Sequence, residues 1–150
     1  MQDSDALDTP RNIARMIRHI REVQLEALDK DLAPFDVSAA QFAILAVLAS
    51  GEAMSASGLC RRISYDPGAM TRMVDRLEKK GLIQRVACPG DRRTLYLQLT
   101  DKGEALYPRL QDCAAGVWDR FRRGFTKGEV RQLECFLQRM LANADRKSVV

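Results

Sequence analysis

Between Tyr65 and Leu99 the hydrophobic pattern changes period, and that change constrains the fold more than any other feature of the chain. "YDPGAMTRMVDRLEKKG" reads as one helix. Asp66 suits the N-cap, Pro67 the first helical position, where its missing N–H costs nothing, and Gly81 the C-terminal cap. Met70, Met73, Val74 and Leu77 fall on one face, while Thr71, Arg72, Asp75, Arg76 and Lys79 fall on others. The period then drops to two. "LIQRVA" leads to the turn "CPGDRR", and "TLYLQL" alternates Leu95, Leu97 and Leu99 with Tyr96 and Gln98. This predicts a β-hairpin with Pro-Gly at its tip and Arg92 and Arg93 carried on the turn. Upstream, a shorter helix is predicted from the N-cap Ser55 to Ile63. A short helix, a turn and a helix with a basic face read as a helix-turn-helix.

The flanks are helical. "IARMIRHIREVQLEAL" places Ile13, Ile17, Ile20 and Val23 on one stripe, continuing to Ala27 and Leu28, and Pro34 stops it. "SAAQFAILAVLAS" opens with Ser38 and Gln41 in capping-box spacing and is apolar enough to require burial. After the hairpin, Thr100 caps a long helix predicted to reach about Arg123, with Leu106, Leu110, Cys113, Val117 and Phe121 on one stripe. Thr126 and Glu129 form a second capping box before a helix carrying Val130, Leu133, Leu137 and Leu141. At 150 residues the chain is expected to form one domain with its own core. The long amphipathic terminal helices are most simply explained by pairing with the same elements of a second copy; packing onto their own domain is the alternative.

Charge is unevenly spread. Residues 1–53 carry five basic and nine acidic side chains, residues 54–100 nine and four, and residues 101–150 ten and seven. A basic excess peaking at the helix-turn-helix on a net charge of only +4 points to a localised polyanion contact. Other classes are poorly served. No apolar run reaches the length that spans a bilayer, and the acidic start "MQDSDALD" is no signal peptide, so a cytoplasmic location without membrane contact is expected. The single His19 and the scattered Cys60, Cys88, Cys113 and Cys135 leave no zinc-type cluster and no cofactor is expected. Without a phosphate-binding glycine loop or a nucleophile-and-base pair, an enzyme is not expected either.

An α-helix fits the major groove, and residues early on the second helix of a helix-turn-helix reach base edges. Here these are Gly68, Ala69, Thr71 and Arg72, with Arg76 a turn later. Gly68 and Ala69 offer little side chain. Arg72 and Arg76 share a face suited to guanine or phosphate, and Thr71 can meet a phosphate oxygen or a thymine methyl. Arg61 and Arg62 on the first helix are placed for backbone phosphates. The hairpin takes the position of a wing beside the minor groove, whose negative potential draws in arginine. Asp91 is expected to pair with the Arg93 guanidinium and hold it extended, while Arg92 takes a phosphate.

The order helix, helix, "MSASGLCRRISYDPGAMTRMVDRLEKKGLIQR", "GDRRTLYLQLTDKGEAL", helix, helix resembles the MarR family of bacterial winged-helix regulators over nearly the whole chain. Most specific are the D-x-R of the wing (Asp91, Arg93), "LTDKG" (Leu99 to Gly103) and "VDRLEKKGLI" (Val74 to Ile83). The resemblance implies a mainly α winged helix-turn-helix with a two-stranded β wing, divided into an N-terminal dimerisation helix (1–37), a DNA-binding region (38–100) and C-terminal dimerisation helices (101–150). It implies a homodimer on a pseudo-palindromic double-stranded operator, acting as a transcriptional regulator of repressor type, with Arg93 in the minor groove. It also implies a small aromatic acid effector, for which the nearest candidates are Arg15, Arg18 and His19, with apolar lining from Phe42 and Leu45. Two alternatives stand beside this: a redox regulator sensing through Cys60 or Cys88, and a winged helix that binds protein rather than DNA. Cys113 and Cys135 fall on apolar stripes and read as packing residues.

Overall fold

The computed structural model describes residues 9–52 and 54–146. Helix α1 (Thr9–Leu32) runs into a 3-10 turn at Ala33–Phe35, where Pro34 ends regular α-helix. Helix α2 (Ala39–Ala49) starts at the expected capping box. The Ser38 hydroxyl accepts from the Gln41 amide at 3.1 Å, and the Gln41 side chain accepts from the Ser38 amide at 3.2 Å. Asp29 of α1 adds a bond from the Ala39 amide at 2.6 Å, fixing the corner between the two helices. Gln41, Ile44, Leu45 and Leu48 of α2 are buried, as the nearly continuous apolar run requires.

Helices α3 (Ala56–Ile63) and α4 (Pro67–Lys79) follow, then strands β1 (Ile83–Cys88) and β2 (Asp91–Leu99) in one antiparallel pair. Ile83 faces Leu99 and Arg85 faces Leu97, and the register shifts between Ala87 and Cys88. Leu97 also donates its amide to the Met54 carbonyl at 2.8 Å, which anchors the hairpin to the segment before α3. The turn is the predicted Pro89-Gly90, with Gly90 at φ +92°, a conformation that side chains resist. The second strand, however, begins at Asp91 rather than Thr94. Arg92 and Arg93 are therefore strand residues, not turn residues. The Asp91 carboxylate satisfies the groups that follow it, which lets extended backbone start directly after the glycine.

Helix α5 (Asp101–Phe121) opens where Thr100 accepts from the Gly103 amide at 3.1 Å. Gly103 is required by close approach: a Cβ there would lie 2.1 Å from the Leu82 carbonyl oxygen. Further along, Tyr107 stacks on Phe42 at 6.0 Å, and the Arg109 guanidinium lies 4.9 Å over the Phe35 ring. The chain divides into two compact units within α5. The first runs to Val117 and has its core in Leu28, Leu32, Ile44, Leu45, Leu59, Met70, Leu77, Ile83 and Leu110.

The second unit starts at Trp118 and contains helix α6 (Lys127–Arg146). Its capping box is the predicted one, with the Thr126 amide 2.8 Å from the Glu129 carboxylate and the Glu129 amide 3.1 Å from the Thr126 hydroxyl. Leu133, Phe136, Leu137, Met140 and Leu141 are all exposed. So is Cys135 in the single chain, beside these apolar residues of α6, whereas Cys113 is half-buried with its thiol 3.7 Å from the Asp31 carbonyl. On α1, Ile13, Met16, Ile17 and Ile20 are exposed as well.

Candidate nucleic-acid interface

Helix α3 is capped by Ser55, which accepts from the Gly58 amide at 3.2 Å, and ends at Ser64 in the left-handed region, φ 58°. That residue swings the chain through the short turn into α4. Asp66 then accepts from the Ala69 amide at 3.0 Å, with Pro67 at the first position. Leu59 of α3 and Met70, Val74 and Leu77 of α4 are fully buried, so the apolar faces of the pair meet inward. The opposite face of α4 is thereby presented outward, and Gly68, Thr71, Arg72 and Arg76 are exposed on it, with Ala69 half-buried.

The charges on this face are not equivalent. Among the described residues, Arg61, Arg72, Arg76 and Lys79 have no carboxylate partner, whereas Arg62 pairs with Glu52 at 3.3 Å. Thr71 donates its hydroxyl to the Pro67 carbonyl at 3.0 Å, which occupies its proton and leaves the γ-methyl and the oxygen's acceptor lone pairs free. The acids Asp75 and Glu78 are both taken by Arg85 of β1, at 2.8 Å and 3.0 Å. This arrangement holds the Arg85 guanidinium above its ordinary pKa, chiefly through the hydrogen bond to Asp75. The outward face of α4 is left with arginines and lysine free and its acids engaged.

Sequence reasoning missed Arg85. Its signal was an acid pair at i, i+3 on α4 followed by an arginine early in the next strand; the side chain's reach across to the helix is a tertiary fact. Lys80 was missed too. Its ammonium reaches the Asp36 carbonyl, the Asp36 carboxylate at 3.4 Å and Gln41 at 3.2 Å, clipping the end of α4 to the α1–α2 corner. Lys102 completes the bracing by donating to the Lys80 carbonyl at 2.9 Å.

On the wing, Arg92 and Arg93 are exposed and their guanidinium groups have no acidic partner among the described residues. The expected Asp91–Arg93 side-chain pair does not form. Asp91 instead accepts from the Arg93 backbone amide at 2.9 Å and from the Thr94 hydroxyl at 2.9 Å. The backbone bond, then the hydroxyl, lowers the Asp91 carboxyl below its usual pKa. A carboxylate two residues back reaches the amide far more readily than an outward guanidinium, so Asp91 shapes the strand start and leaves Arg93 free. Behind the turn, the half-buried Cys88 thiol donates to the Pro89 carbonyl at 3.6 Å, and the neighbouring Cys88 raises the Tyr96 phenol above its ordinary value.

The five candidate effector residues are not gathered in the single chain. Arg15 bonds Asn12 at 3.0 Å, and Arg18 and His19 approach Glu22 at 3.8 Å and 3.7 Å, all along the exposed length of α1. Phe42 is half-buried in its stack with Tyr107, and Leu45 is 1% exposed, too deep in the core to line an open pocket. None of the five lines the 430 Å³ cavity bordered by Asp29, Asp36, Gln41, Arg76 and Lys80, or the 490 Å³ cavity between α3 and Tyr96. Among the described residues no group of His, Cys, Asp and Glu is placed to hold a metal ion, and no single helix is long and apolar enough to cross a membrane.

Comparison with known proteins agrees with this geometry. A family model described as "MarR family" matches residues 37–95. The multiple antibiotic resistance protein MarR of Escherichia coli (strain K12) is 30% identical over 139 residues, covering 92% of this chain and 96% of that protein. The HTH-type transcriptional repressor MdtR of Bacillus subtilis (strain 168) is 30% identical over 134 residues, covering 88% of this chain and 84% of that one. A crystal structure of a cysteine-to-serine mutant of MarR from E. coli, complexed with operator DNA, aligns with a TM-score of 0.79 at 29% identity, over 92% of this chain and 99% of that one. These relatives are regulators of transcription, which sets the chain apart from enzymes. A winged helix-turn-helix with this likeness over nearly its full length is a member of the MarR family.

Proposed function

We propose that the chain is a cytoplasmic transcriptional repressor that acts as a homodimer on a pseudo-palindromic operator. One observation carries the DNA contact: on adjoining elements α4 and β2, Arg72, Arg76, Arg92 and Arg93 are exposed and unneutralised while the neighbouring acids are engaged elsewhere. In this reading α4 lies in the major groove, with Arg72 and Arg76 toward bases or phosphates, Thr71 offering its methyl, and Gly68 and Ala69 letting the helix start approach closely. Arg61 holds a phosphate from α3, and Arg62 does so on exchanging its exposed pair with Glu52 for one. Arg93 enters the minor groove and Arg92 takes a phosphate beside it.

Residues 1–37 and 101–150 serve dimerisation, supported by the stripe of exposed large apolar residues on α1 and the stripe on α6. A two-fold dimer would set its recognition helices about 34 Å apart, one turn of DNA. Release by a small aromatic carboxylate would draw on Arg15, Arg18 and His19 with Phe42, brought together with the second copy. The redox alternative is supported by the place of Cys88, half-buried at the end of β1 and paired with Asp91 across the wing turn, where oxidation would disturb the start of β2.

Fluorescence anisotropy on an operator duplex recovered from a random library, with a scrambled duplex and a salt series, tests the reading. Specific binding that weakens with a log–log salt slope of several units is expected, since each neutralised phosphate contributes roughly 0.9. Binding that ignores salt, or prefers no sequence, would sink it. Adding aromatic carboxylates, then peroxide, separates the two modes of release.

A further inference from the structure

Two DNA readers on separate elements bind together more tightly when the angle between them is set in advance, because less ordering is left to the binding step. In this chain the link is short: α4 ends at Lys79, Gly81 takes φ +73°, and β1 begins at Ile83, with the Leu82 amide bonded back to the Leu77 carbonyl at 3.1 Å. The wing beyond is a two-stranded hairpin, which alone is marginally stable. It is rooted by buried Ile83 and Leu97 and by the Met54–Leu97 bond, all at its base.

Beyond that base, Arg85 ties the strand to the helix by ion pairs. From β1, Arg85 sends Nη2 to Asp75 Oδ1 at 2.8 Å and Nη1 to both carboxylate oxygens of Glu78 at 3.0 Å. Asp75 and Glu78 are one helical turn apart on the outward side of α4, so the guanidinium fork grips the helix at two points along its axis. Two points fix an orientation where one fixes only a distance. Arg85 is 31% exposed and faces Leu97 across the ladder, at the base of the wing rather than its tip. Arg93 lies four residues nearer the tip, about 13 Å along an extended strand. The two arginines therefore act on each other only through the hairpin.

We propose that Arg85 is a positioning residue for DNA binding: by clasping Asp75 and Glu78 it sets the wing's angle to the recognition helix, so that Arg93 and the α4 arginines reach DNA together. The inference rests on the proposed reading of Arg93 as a DNA contact. A loosened clasp leaves Arg93 present but badly placed, and its contribution falls without its being touched.

The test is a double-substitution cycle of Arg85→Met and Arg93→Ala, read as anisotropy on the selected operator, with circular dichroism and sedimentation confirming fold and oligomeric state. Arg93→Ala is expected to cost at least tenfold in the wild-type background and less than about threefold in the Arg85→Met background. Arg85→Lys, which keeps the charge but loses the fork, should fall between. Independent sites that do not touch add, so equal costs of Arg93→Ala in both backgrounds overturn the inference. Equal costs together with a salt slope reduced by about one charge would make Arg85 a phosphate contact instead. If Arg85→Met does not fold, the pair Asp75→Asn and Glu78→Gln opens the clasp while removing two negative charges near DNA. The same loss of coupling to Arg93 is then expected, even where overall affinity rises. If Arg93→Ala alone has no effect, the wing reading itself fails, a result distinct from additivity.

Discussion

Asp91 shows how much one carboxylate can decide and how little of that its neighbours in sequence disclose. Asp91 next to two arginines predicts an ion pair, yet its oxygens go to the Arg93 amide and the Thr94 hydroxyl. The reach is the reason: an amide two residues on is held close by the backbone, while a long guanidinium gains little from an exposed pairing that water screens. A pH dependence follows. The folded-state pKa is depressed, so the order this group lends the wing is present above the ordinary carboxylate value of 3.8 and is lost as pH falls through the lower folded value. Carboxyl NMR of Asp91 is expected to titrate below 3.8 in the wild type and to move part of the way back in Thr94→Val. Arg93 is freed rather than held, and Arg93→Ala is expected to weaken operator binding at least tenfold, about 1.4 kcal/mol, with the dimer intact. Unaltered affinity would remove Arg93 from the interface.

Element ends were legible because capping is local chemistry. Ser38 with Gln41, Ser55, Asp66 with Pro67, and Thr126 with Glu129 all sit where the sequence placed them. Asp66→Ala removes the cap of the recognition helix and is expected to lower stability by about 1 kcal/mol in denaturant unfolding. Its effect on operator binding should follow stability alone, since Asp66 lies at the helix start with its carboxylate turned to the Ala69 amide. Gly103 differs in kind. It closes the motif "LTDKG", and the Leu82 carbonyl occupies the space a side chain would need there. Gly103→Ala must push α5 off the base of the wing, at a cost of about 2 kcal/mol. An unchanged melting temperature would mean that α5 can shift freely there. The start of β2 was misplaced by three residues for a related reason: Arg92 and Arg93 carry no strand signal, and Asp91 makes extended backbone satisfactory there.

For the whole molecule, the informative quantity is unburied apolar surface. Ile13, Met16, Ile17 and Ile20 on α1 and Leu133, Phe136, Leu137, Met140 and Leu141 on α6 are each between 43% and 66% exposed. Burying a large aliphatic side chain contributes roughly 1.5–3 kcal/mol, so leaving stripes of them in water is a substantial cost to a lone chain. On the proposed homodimer, Leu137→Glu is expected to yield a monomer by sedimentation velocity and to abolish cooperative operator binding, while the winged helix keeps its helical spectrum. A dimer that survives this substitution would exclude that face of α6 from the interface.

Period, caps and turn residues by themselves determined the order of helices and hairpin, the inward face of α4 and the identity of the basic residues that lie outward. These follow from backbone geometry within a turn or two and need no knowledge of distant neighbours. The tertiary structure alone decided which charges are spent and which are free. Arg85 closes on Asp75 and Glu78, Lys80 closes on Asp36 and Gln41, and Arg15, Arg18 and His19 stay along α1, apart from buried Leu45. Long side chains choose among partners by where packed elements place them, and that placement is a property of the folded core rather than of any stretch of sequence.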